Sequence, residues 1–303
     1  MNWSILPKIP TQFLATIHGV SFFIKREDLI HPLISGNKFR KLKYNFIDFD
    51  SNKYSGILTF GGAFSNHLTA TAAAGKKMNI QTHGVIRGEE LKNKPLNPSL
   101  SFCKENGMKL HFISRENYPL KEHALEIREY VAKMNLKVIP EGGTNELAVK
   151  GCAEILDLED ATFDTICVAV GTGGTFLGLS KSIHQGQRLI GFPVVDDRNV
   201  IEHIQKNCVT TSEWQLDNSA LIGAYGKTSD EIVHFINNFY KNHQILLDPL
   251  YTGKLLFGIF ALVKSSKWNF GKKVLIIHTG GLQSIEGFNQ IQKRKSKPCI
   301  YVP

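Results

Sequence analysis

The sequence contains no CxxC pair; its five cysteines, Cys103, Cys152, Cys167, Cys208 and Cys299, are dispersed and odd in number. That pattern argues against a disulfide framework or a zinc site and leaves reduced, mostly buried thiols with no metal as the expectation. No stretch approaches the roughly 20 unbroken apolar residues of a membrane span, so no membrane partner is expected. The opening MNWSILPKIPTQF lacks a basic segment followed by an apolar core and a small-residue cleavage site, which makes the cytoplasm the expected location. Also missing are a Pro/Ser-rich linker, a low-complexity tract and an internal repeat. The formal charge of +9 is spread along the chain, and its densest cluster, Lys293-Arg294-Lys295-Ser296-Lys297, reads as a solvated tail. Without a zinc-finger spacing or RNA-recognition signature beside it, nucleic acid is not an expected partner.

What is present fits a soluble globular protein. At 303 residues, with 42% hydrophobic and 21% charged content, the chain exceeds one ordinary core, so two domains are expected. Short apolar runs alternate with stretches of helical period. Strands are expected at Phe22–Lys25, Gly56–Gly62, Thr82–Arg87, Lys109–Ser114, Lys137–Gly143, Thr165–Val170, Arg188–Val195 and Lys272–Gly281. Helices are expected over 38–49, 65–78, 121–134, 229–241 and 252–264. Such alternation argues an α/β architecture with parallel sheets, whose ligands bind beyond the carboxyl ends of the strands.

Four of those strand ends share a design. GGAFSNH (61–67), EGGTN (141–145), GTGGTFLG (171–178) and HTGG (278–281) each run into glycines and hydroxyls. Glycines admit a ligand to the backbone, and a helix starting there offers free amides and the positive end of its dipole to an anion. GTGGTFLG is the best phosphate cradle among them, and it is not a Walker loop because no Gly-Lys-Ser/Thr follows at the required spacing. A dinucleotide fingerprint is met by Gly171 and Gly173, with Asp196 and Asp197 as candidate ribose acids, but Phe176 stands where its third glycine belongs. That alternative also leaves unused Lys38, which stands just behind a Ser-Gly-Asn turn in SGNKFRKL (35–42). Alone, those eight residues fit a solvated lysine in a basic first turn.

Taken in order, GNKFRKLKY around Lys38, FSNH around Ser65, VGTGGTFLGL, AYG at Tyr225, LDPLYTGK around Tyr251 and LIIHTGG around Thr279 resemble the pyridoxal-phosphate-dependent family of 1-aminocyclopropane-1-carboxylate deaminase and D-cysteine desulfhydrase. The resemblance runs from about Phe22 to Gly281. It implies fold type II, the tryptophan-synthase-β-like fold: a larger cofactor-binding domain at 1–40 plus 160–303, a smaller α/β domain at 41–159, and the active site in the cleft between them. It implies pyridoxal 5'-phosphate as cofactor, with Lys38 as its Schiff-base lysine. The amides of Gly171, Thr172, Gly173, Gly174 and Thr175 would hold the phosphate, Asn66 the 3′-oxygen, and Thr279 would face the pyridine nitrogen. A hydroxyl there cannot hold a charged pyridinium as a carboxylate would, which favours elimination over transamination. Ser65, Tyr225 and Tyr251 are the further catalytic candidates, and Ser65, Asn66, His67 and Thr252 the candidates for substrate selection.

Within the family, deaminases resemble PVYEGK and HLGG, whereas desulfhydrases resemble PVYTGK and HTGG. Thr252 and Thr279 therefore favour the desulfhydrase, expected to convert D-cysteine, a small amino acid, to pyruvate, sulfide and ammonia as a homodimer. The alternatives are ring opening of aminocyclopropane carboxylate, elimination from D-serine or a related amino acid, and a non-catalytic cofactor-binding protein. Departures from the family pattern lie at Leu68-Thr69-Ala70, after Tyr225 in GKTSDE, and in a short region around 191–219.

Overall fold

In the computed structural model the described residues are Trp3, 6–221 and 228–303. The chain opens with a hairpin, β1 (Thr11–Ile17) and β2 (Val20–Lys25), followed by α1 (Asn37–Ile47). Next come β3 (Gly56–Gly61), α2 (Asn66–Met78), β4 (Thr82–Arg87), α3 (Pro98–Glu105), β5 (Lys109–Ile113), α4 (Leu125–Met134), β6 (Leu136–Val138) and α5 (Glu146–Cys152). The remainder is β7 (Thr165–Val170), α6 (Gly174–Ser182), β8 (Arg188–Pro193), α7 (Arg198–Asn207), β9 (Glu213–Leu216), α8 (Asp230–His243), α9 (Thr252–Lys264), β10 (Lys273–Ile277) and α10 (Ser284–Arg294).

The strands form two sheets. One has six strands in the order β1-β2-β10-β7-β8-β9, the other four in the order β5-β4-β3-β6. All pairings are parallel except the β1–β2 hairpin, whose turn places His18 at φ 48° and Gly19 at φ 78°. Continuous apolar strands arise because helices cover both faces. In β7, Ile166, Val168 and Val170 pack with Phe176, Leu177 and Leu179 of α6. Cys167 and Ala169 point the other way, into a core with Ile232 and Ile236 of α8 and Leu255, Leu256 and Ile259 of α9. The four-stranded sheet packs against Phe39, Leu42 and Phe46 of α1 together with Ala70 and Ala73 of α2, and elsewhere against Ile127 of α4. The alanines and Gly75 let α2 lie close: a Cβ on Gly75 would sit 2.4 Å from Thr82 Cγ2.

The helix expected over 121–134 is shorter than the sequence implies. Residues Tyr118–His123 form a 3-10 segment interrupted at Lys121, which has φ 51° and ψ −125°, and regular helix begins only at Leu125. The Lys121 ammonium is drawn to Glu141 (2.5 Å) over the Tyr118 ring, so a side-chain tether holds a backbone geometry that helical propensity opposes. The hairpin strand β1, together with α3, α5, α7, β9 and α10, lies outside the elements expected from sequence.

Candidate active site

The four glycine-rich turns converge, as parallel topology requires, at the carboxyl ends of β3, β6, β7 and β10. Between them lies a cavity of about 790 Å³, lined by Lys38, Lys41, Ser65, Asn66, His67, Gly171, Thr172, Gly173, Thr175, Tyr251 and Thr279, among others.

Lys38 is the second residue of α1, and the start of that helix is fixed by backbone. Gly36 adopts φ 63° and ψ −144°, and a Cβ on it would fall 2.0 Å from the Thr279 carbonyl oxygen. Only glycine fits there. The Asn37 amide donates to that same carbonyl (3.2 Å), and the HTGG turn is held in its own right: His278 Nδ1 accepts from the Gly280 amide (3.1 Å). From below, buried Arg40 donates two hydrogen bonds to buried Glu27 (2.8 and 2.9 Å). The helix end is thus fixed, while among the described residues the Lys38 amine keeps one hydrogen bond, to Asn37 Oδ1 at 3.0 Å; Asn37 Nδ2 in turn donates to Thr175 Oγ1 at 2.9 Å. Burial, and next the charge of Lys41, push the Lys38 amine down from 10.5 to about 7.

Lys41, one turn further on, is held much more tightly. Its ammonium donates to Gly142 O (3.0 Å), Thr144 Oγ1 (3.2 Å) and Thr172 Oγ1 (3.2 Å), linking the turns after β6 and β7. Lys41 is not among the site residues expected from sequence, although its i,i+3 spacing from Lys38 puts both on one helix face.

The turn after β7 is shaped as a cradle. Its N-cap, Gly173, has φ 83° and no side chain to cap the helix, so the first-turn amides of α6 are left to an external acceptor. Added Cβ atoms would close the cradle: on Gly171 one would meet Tyr251 Cε1 at 2.9 Å, and on Gly174 one would meet Thr144 Oγ1 at 2.9 Å and Lys41 Nζ at 3.2 Å.

Ser65 caps α2, its hydroxyl accepting from the Leu68 amide (3.3 Å), and with Asn66 it faces the cavity. His67 is buried behind them. Its Nε2 lies 2.8 Å from the Thr59 hydroxyl, which is also 2.8 Å from Ile139 O. The hydroxyl donates to Ile139, so the ring donates through Nε2–H and leaves Nδ1 as an acceptor with no hydrogen-bond partner among the described residues. Burial, then Lys38 and Lys41, hold this imidazole well below 6.5 and therefore neutral.

Tyr251 reaches the cavity from the start of α9, where buried Asp248 organises the backbone. Asp248 Oδ2 accepts from the Leu250 and Tyr251 amides (2.9 Å each), and Oδ1 from the Thr252 amide (2.8 Å) and hydroxyl (2.7 Å). Thr252, a candidate for substrate selection, is buried with its hydroxyl on Asp248 and is not among the residues that line the cavity. Tyr225 lies outside the described residues.

Comparison with known proteins settles the family. The profile of the family described as pyridoxal-phosphate dependent enzyme matches residues 4–280. This chain belongs to that family. It is 32% identical over 296 residues to a Pyrococcus horikoshii protein whose name carries 1-aminocyclopropane-1-carboxylate deaminase as a provisional assignment, covering 90% of this chain and 89% of that protein. It is 31% identical to the mitochondrial bifunctional D-cysteine desulfhydrase/1-aminocyclopropane-1-carboxylate deaminase of Arabidopsis thaliana, covering 93% of this chain and 75% of that protein. The crystal structure of an ACC deaminase homologue superposes with a TM-score of 0.81 at 29% identity, covering 94% of this chain and 93% of the other. The fold is therefore type II, and the cofactor is pyridoxal 5'-phosphate.

The residues present fit that pyridoxal enzyme cofactor. The amide cradle of Gly171–Thr175 suits a phosphate dianion, Lys38 offers an amine that burial and Lys41 push down to about 7, and Thr279 and Asn66 line the same cavity. Lys41, Asn37, Asp248 and the Gly142–Thr144 turn complete the site. Of these, the sequence had flagged the EGGTN turn as a ligand-approach site.

Proposed function

We propose that this protein catalyses α,β-elimination on a small amino acid, with D-cysteine as substrate and pyruvate, sulfide and ammonia as products. The observation that carries the reading is the amine of Lys38: fixed at a rigid helix end, pushed down to about 7, and tied by a single neutral hydrogen bond. When bound, the cofactor supplies the electron sink for charge left at the substrate's Cα. Lys38 Nζ, with its neutral form accessible near pH 7, is then the group that takes the Cα proton. The start of α2, at the Asn66 and His67 amides, receives the α-carboxylate, since amides and dipole there favour an anion. Tyr251, whose backbone Asp248 fixes, is the candidate acid for the departing group. Thr279 offers the ring nitrogen a hydroxyl and no negative charge, which supports elimination.

The test is a panel assay on cofactor-loaded protein for pyruvate, 2-oxobutyrate and sulfide. Sulfide from D-cysteine but not L-cysteine supports the reading; 2-oxobutyrate from aminocyclopropane carboxylate, the reaction named for the relatives, would replace it. Lys38→Ala should abolish turnover, and substantial remaining elimination would remove Lys38 from its role. The reading extends to a cytoplasmic homodimer with a larger part at 1–40 plus 160–303 and a smaller at 41–159. Light scattering on the purified protein checks the dimer.

A further inference from the structure

We propose that Arg87 is the subsite for an anionic group on the substrate's β-substituent, so that the site favours amino acids whose leaving group carries negative charge. This rests on the elimination reading above and names its substrate class. Arg87 ends β4, and the register Gly61↔Ile86 places it one strand spacing, about 4.8 Å, from Gly62 at the start of the turn that leads into Ser65 and Asn66. Strand alternation puts its side chain on the face of Val85, whose core neighbours are Phe60, Ile113 and Tyr118. The phosphate cradle comes from the six-stranded sheet and Arg87 from the four-stranded one, so the two anion-binding features belong to different walls.

Elimination among the cations sharpens the assignment. Lys38, Lys41, Arg87 and Lys121 line the cavity. Lys41 is held by three oxygens, and Lys121 by Glu141 at 2.5 Å. Glu141 is itself committed, its second oxygen accepting from the Tyr118 hydroxyl at 2.6 Å. Glu90, three residues beyond Arg87, is taken by Arg115 (2.6 and 2.9 Å). Arg87 alone of the four makes no hydrogen bond or ion pair with any described residue, and its planar donor fork matches carboxylate, phosphate and sulfonate groups.

For O-phosphoserine the chemistry balances without a further reactant except water. The Cα proton passes to Lys38 Nζ, its electron pair becomes the Cα=Cβ bond, and the Cβ–O bond breaks with its pair leaving on phosphate. Water then hydrolyses the enamine to pyruvate and ammonia. The same sequence with S-sulfocysteine expels thiosulfate.

The test compares holoenzyme with its Arg87→Gln and Arg87→Lys variants on both enantiomers of O-phosphoserine, S-sulfocysteine, serine and O-methylserine. Arg87→Gln is expected to lower kcat/KM for the two anionic substrates about 10- to 100-fold, the range for losing a hydrogen bond to a charged group. Neutral substrates stay at wild-type level, and Arg87→Lys recovers part of the loss. Binding is read separately from the change in cofactor visible absorbance on titration with aspartate and with alanine; only aspartate should weaken in Arg87→Gln. Equal losses for anionic and neutral substrates, or none, overturn the proposal. If the wild type eliminates nothing, the elimination reading fails, while the aspartate titration still decides Arg87.

Discussion

The depressed Lys38 amine yields a prediction that needs no knowledge of the substrate. Covalent capture of the cofactor requires the neutral amine. With Lys38 at about 7, about half of the protein presents it at pH 7, against about 1 in 3,000 for a lysine at the ordinary 10.5. The second-order rate of cofactor uptake by cofactor-free protein, followed by visible absorbance in a stopped-flow instrument, should therefore rise with pH to a midpoint near 7 and level off above it. Two substitutions move the midpoint in opposite directions. Lys41→Met removes the charge that, after burial, does most to depress Lys38, so the profile shifts to higher pH. Asp248→Asn removes a charge that raises Lys38, so the profile shifts lower. A rate that climbs steadily to pH 10, or a Lys41→Met profile that moves down, would refute the assigned electrostatics.

The same shift has a stability consequence of opposite sign to that of a paired lysine. The unfolded chain keeps Lys38 charged up to 10.5 while the folded one releases its proton near 7, so folding loses stability progressively as pH falls through that window and bears the full cost below it. Lys38→Met should raise the Tm of cofactor-free protein at pH 6 and have no such effect at pH 10.5; equal Tm changes at both would count against the cause. Gly36→Ala combines positive φ with a Cβ 2.0 Å from the Thr279 oxygen and should cost roughly 2–4 kcal/mol, read by urea denaturation, with loss of cofactor capture. Asp248→Asn leaves one oxygen to serve three amides and the Thr252 hydroxyl, and should cost roughly 1–3 kcal/mol while lowering kcat more than it raises KM.

Legibility in the sequence followed how local each feature is. Strands such as Thr165–Val170 stood out because both faces are buried and glycines end the run, and Thr82–Arg87 was delimited to the residue. The first strand was passed over even though His18-Gly19, a positive-φ pair between two apolar runs, marks a tight hairpin. Motif order drew attention to Lys38 and to the GTGGTFLG turn, which line one cavity. Asn37, Lys41 and Asp248 did not stand out, since each acquires meaning from partners the sequence does not place beside it: Lys41 meets Gly142, Thr144 and Thr172 across 101, 103 and 131 residues. Thr252 shows what a motif leaves out: the residue distinguishes two motifs, and only the structure shows its hydroxyl held by Asp248 at its own helix start.

The first turn of α1 is where the two sheets meet chemically. Gly36 and Asn37 are fastened to the turn after β10, and Lys41 to the turns after β6 and β7, so three loops from both sheets are tied within six residues. Lys38 lies inside that span with one neutral partner. Any change in the relative position of the sheets has to be taken up at the three oxygens around Lys41. Because the Lys41 charge, after burial, also lowers the proton affinity of Lys38, such a change alters the basicity of the amine as well as the shape of the cavity. A cofactor-uptake midpoint that shifts in Lys41→Met while Lys41→Arg stays near the wild type would separate this charge effect from simple loss of packing.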